Sequence, residues 1–208
     1  MKKFSIFVIM IIFTFLSYAK TVHISADFVE PTDNLITYEG SVLVFIDSDN
    51  LKLETNNMQI KKENNKWINL TTESTVLIFF NDGELMGKNL NYNIETQNGN
   101  IEEASLTILD SKSSETIFVV CDILNFDLKN NYFEGKSISQ KIKIIKGNIS
   151  ANSYEFIYNK DEGIIVLNQE VELIDNNKNI KLNAEKIILD TENNNMKGEK
   201  VQVEIVVE

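Results

Sequence analysis

The decapeptide Ile180-Lys181-Leu182-Asn183-Ala184-Glu185-Lys186-Ile187-Ile188-Leu189 alternates apolar and polar side chains up to a small residue followed by an acidic one. Alternation of period two belongs to a strand with one face on a core and the other in water. The same apolar, small, polar pattern recurs in Ile24-Ser25-Ala26-Asp27, Leu53-Glu54-Thr55-Asn56, Leu85-Met86-Gly87-Lys88, Val119-Val120-Cys121-Asp122 and Ile149-Ser150-Ala151-Asn152. The small positions 26, 55, 87, 121, 151 and 184 are separated by 29, 32, 34, 30 and 33 residues, so the chain is a repeat of one supersecondary unit.

In four units a glycine or asparagine follows 14 to 17 residues later, at Gly40, Gly135, Asn168 and Gly198, and each unit reads as strand, turn, strand. Further alternating stretches are Leu106-Thr107-Ile108, Ile142-Lys143-Ile144, Val171-Glu172-Leu173 and Val201-Gln202-Val203-Glu204-Ile205. Turn formers punctuate them at Asn64-Asn65, Asp82-Gly83, Asn98-Gly99, Asn130-Asn131, Asp161-Glu162-Gly163 and Asn193-Asn194-Asn195. Six units of two strands predict an all-β chain of about twelve antiparallel strands. Open sheets beyond roughly ten strands curl or split, so two facing sheets, or one sheet folded on itself, are expected. Val76-Leu77-Ile78-Phe79-Phe80 and Ile164-Ile165-Val166-Leu167 are apolar on both faces, more than a half-wetted strand requires.

The N-terminus reads as an export signal. Lys2 and Lys3 precede an apolar run from Phe4 to Leu16, and Ser17-Tyr18-Ala19 offers small residues for cleavage after Ala19. A retained inner-membrane anchor through residues 4–19 is the alternative, although the run is shorter than the roughly 20 residues a spanning helix needs. Residues 20–208 are then expected to form a single domain in the periplasm.

Composition excludes several function classes. The net charge is −11, and loss of Lys2 and Lys3 takes it to about −13, which repels nucleic acid and anionic membrane surfaces. All 20 basic residues are lysine, so bidentate arginine capture of phosphate is absent. His23 is the single histidine and Cys121 the single cysteine; no nucleophile system, disulfide, zinc motif or cofactor loop can be assembled around them. Asp27, Asp122 and Glu185 occupy one offset of the repeat and read as structural rather than as a carboxylate pair. No catalytic residue, metal ligand or cofactor is expected.

The motifs resemble those of the OstA-like lipopolysaccharide-transport family, which includes LptA, LptC and the N-terminal domain of LptD. Residues 180–189 are similar to its recurring strand, and His23-Ile24-Ser25-Ala26-Asp27 with Tyr38-Glu39-Gly40-Ser41-Val42-Leu43-Val44 is similar to its opening unit. The resemblance runs from about Val22 to Ile205. It departs at Thr55 and Gly87, where alanine is commoner, and in an insert around Lys61 to Lys66. It implies a twisted, partly open β-jellyroll whose apolar groove shelters acyl chains of lipopolysaccharide or another acylated envelope lipid. It also implies terminal strands that pair edge to edge with other OstA-like proteins or with copies of the chain.

Counting parity from the small positions gives a lining set for such a groove: Ile24, Phe28, Leu53, Val119, Ile123, Ile149 and Leu182. The return strands add Val42, Val44, Leu106, Ile108, Ile142, Val171, Leu173, Val201 and Val203. Edge pairing falls to Val22 and Ile24 at one end and to Val203 and Ile205 at the other. Burial of an acyl chain yields about 0.8 kcal/mol per methylene, on the order of 8 kcal/mol for ten carbons before ordering costs. Two other readings stay open: an envelope protein that self-assembles with a filled interior, and a parallel β-helix enzyme acting on polysaccharide.

Overall fold

The structure is a computed structural model that describes residues 20–205; the expected signal segment falls outside them. The strands are β1 (Val22–Ser25), β2 (Phe28–Pro31), β3 (Leu35–Ile46), β4 (Leu51–Glu63), β5 (Lys66–Thr72), β6 (Val76–Phe80), β7 (Gly83–Asn93), β8 (Asn98–Leu109) and β9 (Thr116–Asp127). There follow β10 (Tyr132–Lys136), β11 (Ile142–Lys146), β12 (Ile149–Ser153), β13 (Glu155–Asn159), β14 (Ile164–Asp175), β15 (Ile180–Asp190), β16 (Asn195–Glu199) and β17 (Gln202–Ile205).

Five pairs of short strands act as single interrupted strands. β1 and β2 both pair with β3, while β5 and β6 both lie between β4 and β7. β10 and β11 both pair with β9, β12 and β13 with β14, and β16 and β17 with β15. The chain is therefore a meander of about twelve strands, each hydrogen-bonded to its neighbour in sequence. Every pairing is antiparallel, which removes the parallel β-helix alternative.

The interruptions line up. In the long strands, register slips between Glu39 and Val42 of β3, between Met86 and Asn91 of β7 and between Asn168 and Val171 of β14. Left-handed residues sit on the same line: Gly40 (φ 75°), Ser41 (48°), Asn89 (52°), Glu103 (49°), Gln169 (66°), Glu170 (49°) and Lys200 (52°). Bulges bend a strand and add twist, and a row of them folds the whole sheet along a crease. One half-sheet contains β1, β6, β11, β12 and β17; the other contains β2, β5, β10, β13 and β16; the long strands run through both. The halves face each other, as the stacking of Phe80 in β6 on Phe133 in β10 shows, with ring centres 6.1 Å apart.

The repeated small residues stand on this crease. Thr55, Cys121, Ala151 and Ala184 are buried there, where the converging faces leave no room for a long side chain. A Cβ on Gly87 would lie 2.5 Å from the Glu102 carbonyl oxygen and 2.7 Å from Ile101. The expectation that Gly40, Gly135, Asn168 and Gly198 are turns is corrected: all four lie within or against strands at the crease. Gly135 belongs there because a Cβ would come within 3.2 Å of Cys121 Sγ. Asn98-Gly99 is likewise not a turn but the start of β8, where a Cβ on Gly99 would meet the Phe126 ring at 2.4 Å. The reversals at the tips use Asn50, Asn64, Asn65, Asn131, Asn179 and Asn194, all at positive φ, together with Gly147 and Gly163.

Between the halves lies one apolar core. It includes Val44, Leu53, Ile78, Leu85, Leu106, Val119, Ile142 and Leu173 from one half and Leu70, Tyr92, Ile101, Leu124, Phe133, Phe156, Ile165 and Ile187 from the other. Full burial of each aliphatic side chain contributes about 1.5–3 kcal/mol. Gly87→Val is expected to lower stability by about 1–3 kcal/mol through overpacking at the crease; urea unfolding should show a lower midpoint at unchanged slope.

Candidate functional site

The extra residue at the crease shifts strand parity by one, because a one-residue offset turns every later side chain to the other face. In β4 the inward positions are Leu51, Leu53 and Thr55, then Met58 and Ile60; in β9 they are Ile117, Val119 and Cys121, then Leu124 and Phe126. Parity counted without this shift gives the inward-facing side chains up to the crease and the outward-facing ones beyond it. Val42, Val44, Leu53, Leu106, Ile108, Val119, Ile142, Ile149, Val171, Leu173 and Leu182 all lie in the buried interior, and Ile24 is half-buried against it. Ile123 pairs with Glu102 and Lys136 on the outer face, and Phe28 is 72% exposed on the edge strand β2. Val201 is exposed beside the crease, whereas Val203 pairs with Leu182 and so stands on the interior side of β17.

Most of the interior is filled and closed over at the tips. Tyr158 Oη donates to Asp110 Oδ1 at 2.6 Å, and Lys146 Nζ donates to Asn194 Oδ1 at 2.8 Å while pairing with Glu115. Lys160 pairs with Asp82. These buried polar contacts fix how the two rows of tips meet, since each left unpaired would cost its desolvation.

At the N-terminal end the halves part. A cavity of about 660 Å³ opens there, lined by Val22 and Ile24 of β1, Ile36 and Tyr38 of β3, Ile60 of β4, Trp67 and Ile68 of β5, and Ile94. Its size is ordinary for a small-molecule site. The walls are apolar, while Lys20, Lys66 and Glu95 stand at the rim. Lys20 Nζ spans the gap between the halves, donating to Asp49 Oδ2 at 2.7 Å and to the Ile94 carbonyl at 3.0 Å. Lys62 Nζ lies 5.2 Å from the Trp67 ring centre, a cation–π contact on the same end. Outside the cavity lining, the Tyr92 hydroxyl of β7 is buried and has no hydrogen-bond partner among the described residues. Burial, with the Asp49 charge, pushes this phenol well above its usual range and keeps it a neutral donor. Parity counting missed Ile36, Tyr38, Ile60, Tyr92 and Ile94 because all lie beyond the crease; the second alternation after each small residue carried that signal.

At both ends a strand edge is left open. β1 pairs with β3 and β17 with β15, and among the described residues neither has a second partner. Val22 and Ile24 face the interior opposite Ile46 and Val44, and Val203 and Ile205 do so opposite Leu182 and Ile180. The only proline, Pro31, sits on the edge strand β2, where its missing donor is harmless.

The groups that catalysis would need are scattered. His23 Nε2 is 3.4 Å from Asp47 Oδ2 with both side chains exposed. Cys121 is buried, and that burial, helped by the Asp122 charge, pushes its thiol up to about 12. Among the described residues no group of three or more histidine, cysteine, aspartate or glutamate side chains is placed to hold a metal ion.

Comparison with known proteins adds the following. A family model described as LptA/(LptD N-terminal domain) LPS transport protein matches residues 23–195. Among solved structures, the chain is similar to LptH, the LptA homologous periplasmic component of the lipopolysaccharide transport device from Pseudomonas aeruginosa. That likeness has 11% identity over 90% of this chain and 96% of that chain, with a TM-score of 0.28. No curated protein matches the chain.

The tip closure has a pH signature. Burial alone would raise the Asp110 carboxyl, but hydrogen bonds from Ser113 and Tyr158 outweigh it and hold the group below its ordinary value. A carboxyl depressed in the fold contributes stability that is present above its unfolded value of about 3.9 and lost as pH falls through the lower folded value. Asp110→Asn is therefore expected to flatten the fall of the urea midpoint below about pH 4.

Proposed function

Because the chain belongs to the LptA/(LptD N-terminal domain) LPS transport protein family, we propose that it carries the acyl chains of lipopolysaccharide, or of another acylated envelope lipid, between its two half-sheets. The observation that carries this reading is the N-terminal cavity. Its walls of Ile24, Ile36, Ile60 and Trp67 suit methylene chains, and at the rim Lys20 and Lys66, paired with Asp49 and Glu95, would meet an anionic head group by exchanging those partners. A chain of ten carbons supplies on the order of 8 kcal/mol, enough to offset the ordering of a flexible tail.

The reading includes the site of action and the partners. The protein works in the periplasm, brought there by a segment cleaved after Ala19, and not as an enzyme. Its open edges at β1 and β17 pair with related jellyrolls or with further copies, so that the interior of one continues into the next. Val22 and Ile24 at one edge and Val203 and Ile205 at the other supply apolar side chains toward such a continuous interior. The dense packing midway along the sandwich favours a second reading, in which the same edges build a scaffold that carries no lipid.

Trp67 is the single tryptophan and lines the cavity, so it reports occupancy directly. Titration of the mature chain with lipid A is expected to shift its emission to the blue, and native mass spectrometry to show the bound mass. Ile24→Asp should weaken both responses by about tenfold or more, since it places a charge against the tail. Unchanged emission together with bare protein in the mass spectrum contradicts the lipid reading and favours the scaffold.

A further inference from the structure

The outer face of the second half-sheet carries an in-register row of uncharged hydrogen-bonding side chains. Thr37 of β3 pairs with Gln59 of β4, Gln59 with Thr71 of β5, Thr71 with Asn91 of β7, Asn91 with Asn100 of β8, and Asn100 with Asn125 of β9. Adjacent strands lie about 4.8 Å apart, so the six side chains form a straight line of roughly 24 Å across the strands. Asn91, Asn100 and Asn125 are exposed. In a chain that is 25% charged, six successive strands here present no charge on this line.

Asparagine is depleted from strands, where it packs poorly and competes with the ladder for hydrogen bonds. Some asparagines of this sheet have a structural use: Asn93 Nδ2 donates to Asn69 Oδ1 at 3.2 Å, and Asn93 Oδ1 caps its own turn by accepting from the Glu95 and Thr96 N–H groups. Asn91, Asn100 and Asn125 each stand two residues inside the end of their strand, next to the tip turns but not part of them. A local rule broken three times in register marks a site that function holds in place.

We propose that this row binds an extended, uncharged glycan laid across the strands. Primary amides donate and accept at once and so match vicinal hydroxyls, and an extended pyranose chain advances by about one strand spacing per sugar. Thr37, Gln59 and Thr71 also line a depression of about 660 Å³ on the same face, which gives the chain a trough at one end. Glu39, Glu73 and Glu102 outnumber Lys61 in its lining and, with a net charge of −11, disfavour anionic polysaccharide. The face lies outside the sandwich, so a glycan held here and a lipid held inside do not compete.

The test uses the mature full-length chain and three hexasaccharides: chitohexaose, cellohexaose and hexagalacturonate. Calorimetry is expected to show binding of chitohexaose or cellohexaose and none of hexagalacturonate. Preference for chitohexaose would identify an N-acetylated glycan as the natural source, and equal binding would identify hydroxyls alone as the recognised group. The variant N91T/N100T/N125T should bind at least about tenfold more weakly. Its unfolding midpoint should hold or rise, because threonine favours strands, so lost binding cannot be ascribed to unfolding. Failure of the native chain to bind either neutral hexasaccharide, equal binding of hexagalacturonate, or full binding by the variant would overturn the proposal.

Discussion

The structure depends on bending an antiparallel sheet at one place in every strand. A sheet of about twelve strands cannot stay flat and open, and here it folds along a single line instead of splitting into separate sheets. Bending requires an extra residue in the strand and space for the faces to approach. Ser41, Asn89, Glu103, Gln169 and Glu170 provide the first by adopting positive φ, and Thr55, Gly87, Cys121, Ala151 and Ala184 provide the second by being small. The repeat seen along the chain is thus the repeat of a crease, copied once per pair of strands.

Folding about a crease makes the two ends of the sandwich different from its middle. Midway, each half-sheet has neighbours on both sides, and Leu106, Val119, Phe133 and Phe156 are fully buried in the interior. Above them, Lys146, Lys160, Asp110 and Tyr158 tie the tips together. At the two ends of the described sheet the halves have no further covering strand, and apolar residues that would be core elsewhere become cavity wall or exposed edge. Ile24, Ile36 and Trp67 at one end, and Val203 and Ile205 at the other, are the same kind of residue as the core without the neighbour that would cover them. Among the described residues, the cavity and the open strand edges therefore have one origin, the two ends of a periodic sheet.

Much of this was legible in the sequence. Period-two alternation and the six-fold recurrence identified an all-β, antiparallel, twice-layered chain, and the strand number followed from counting units. The resemblance at residues 180–189 and 23–44 pointed to the family that the match over residues 23–195 establishes. Which side chains face inward was legible only up to the crease. Glycine and asparagine favour turns and bulges for the same conformational reason, so Gly40, Gly135 and Gly198 read as turns until the close approaches around them were visible. The resulting error of one residue in parity turned Ile123 inward on paper and hid Tyr38, Ile60 and Tyr92. Contacts between tips distant in sequence, such as Tyr158 with Asp110, leave no local signal at all.

The central claim is that acyl chains lie between the half-sheets. Its most direct measurement is photo-crosslinking in the living cell, with a benzophenone amino acid at position 36 on the cavity wall and, separately, at position 86 on the outer face, where Met86 is 48% exposed. The account requires a lipid adduct from position 36 and none from position 86. Adducts from both positions alike, or from neither while the protein is folded and in place, would contradict it.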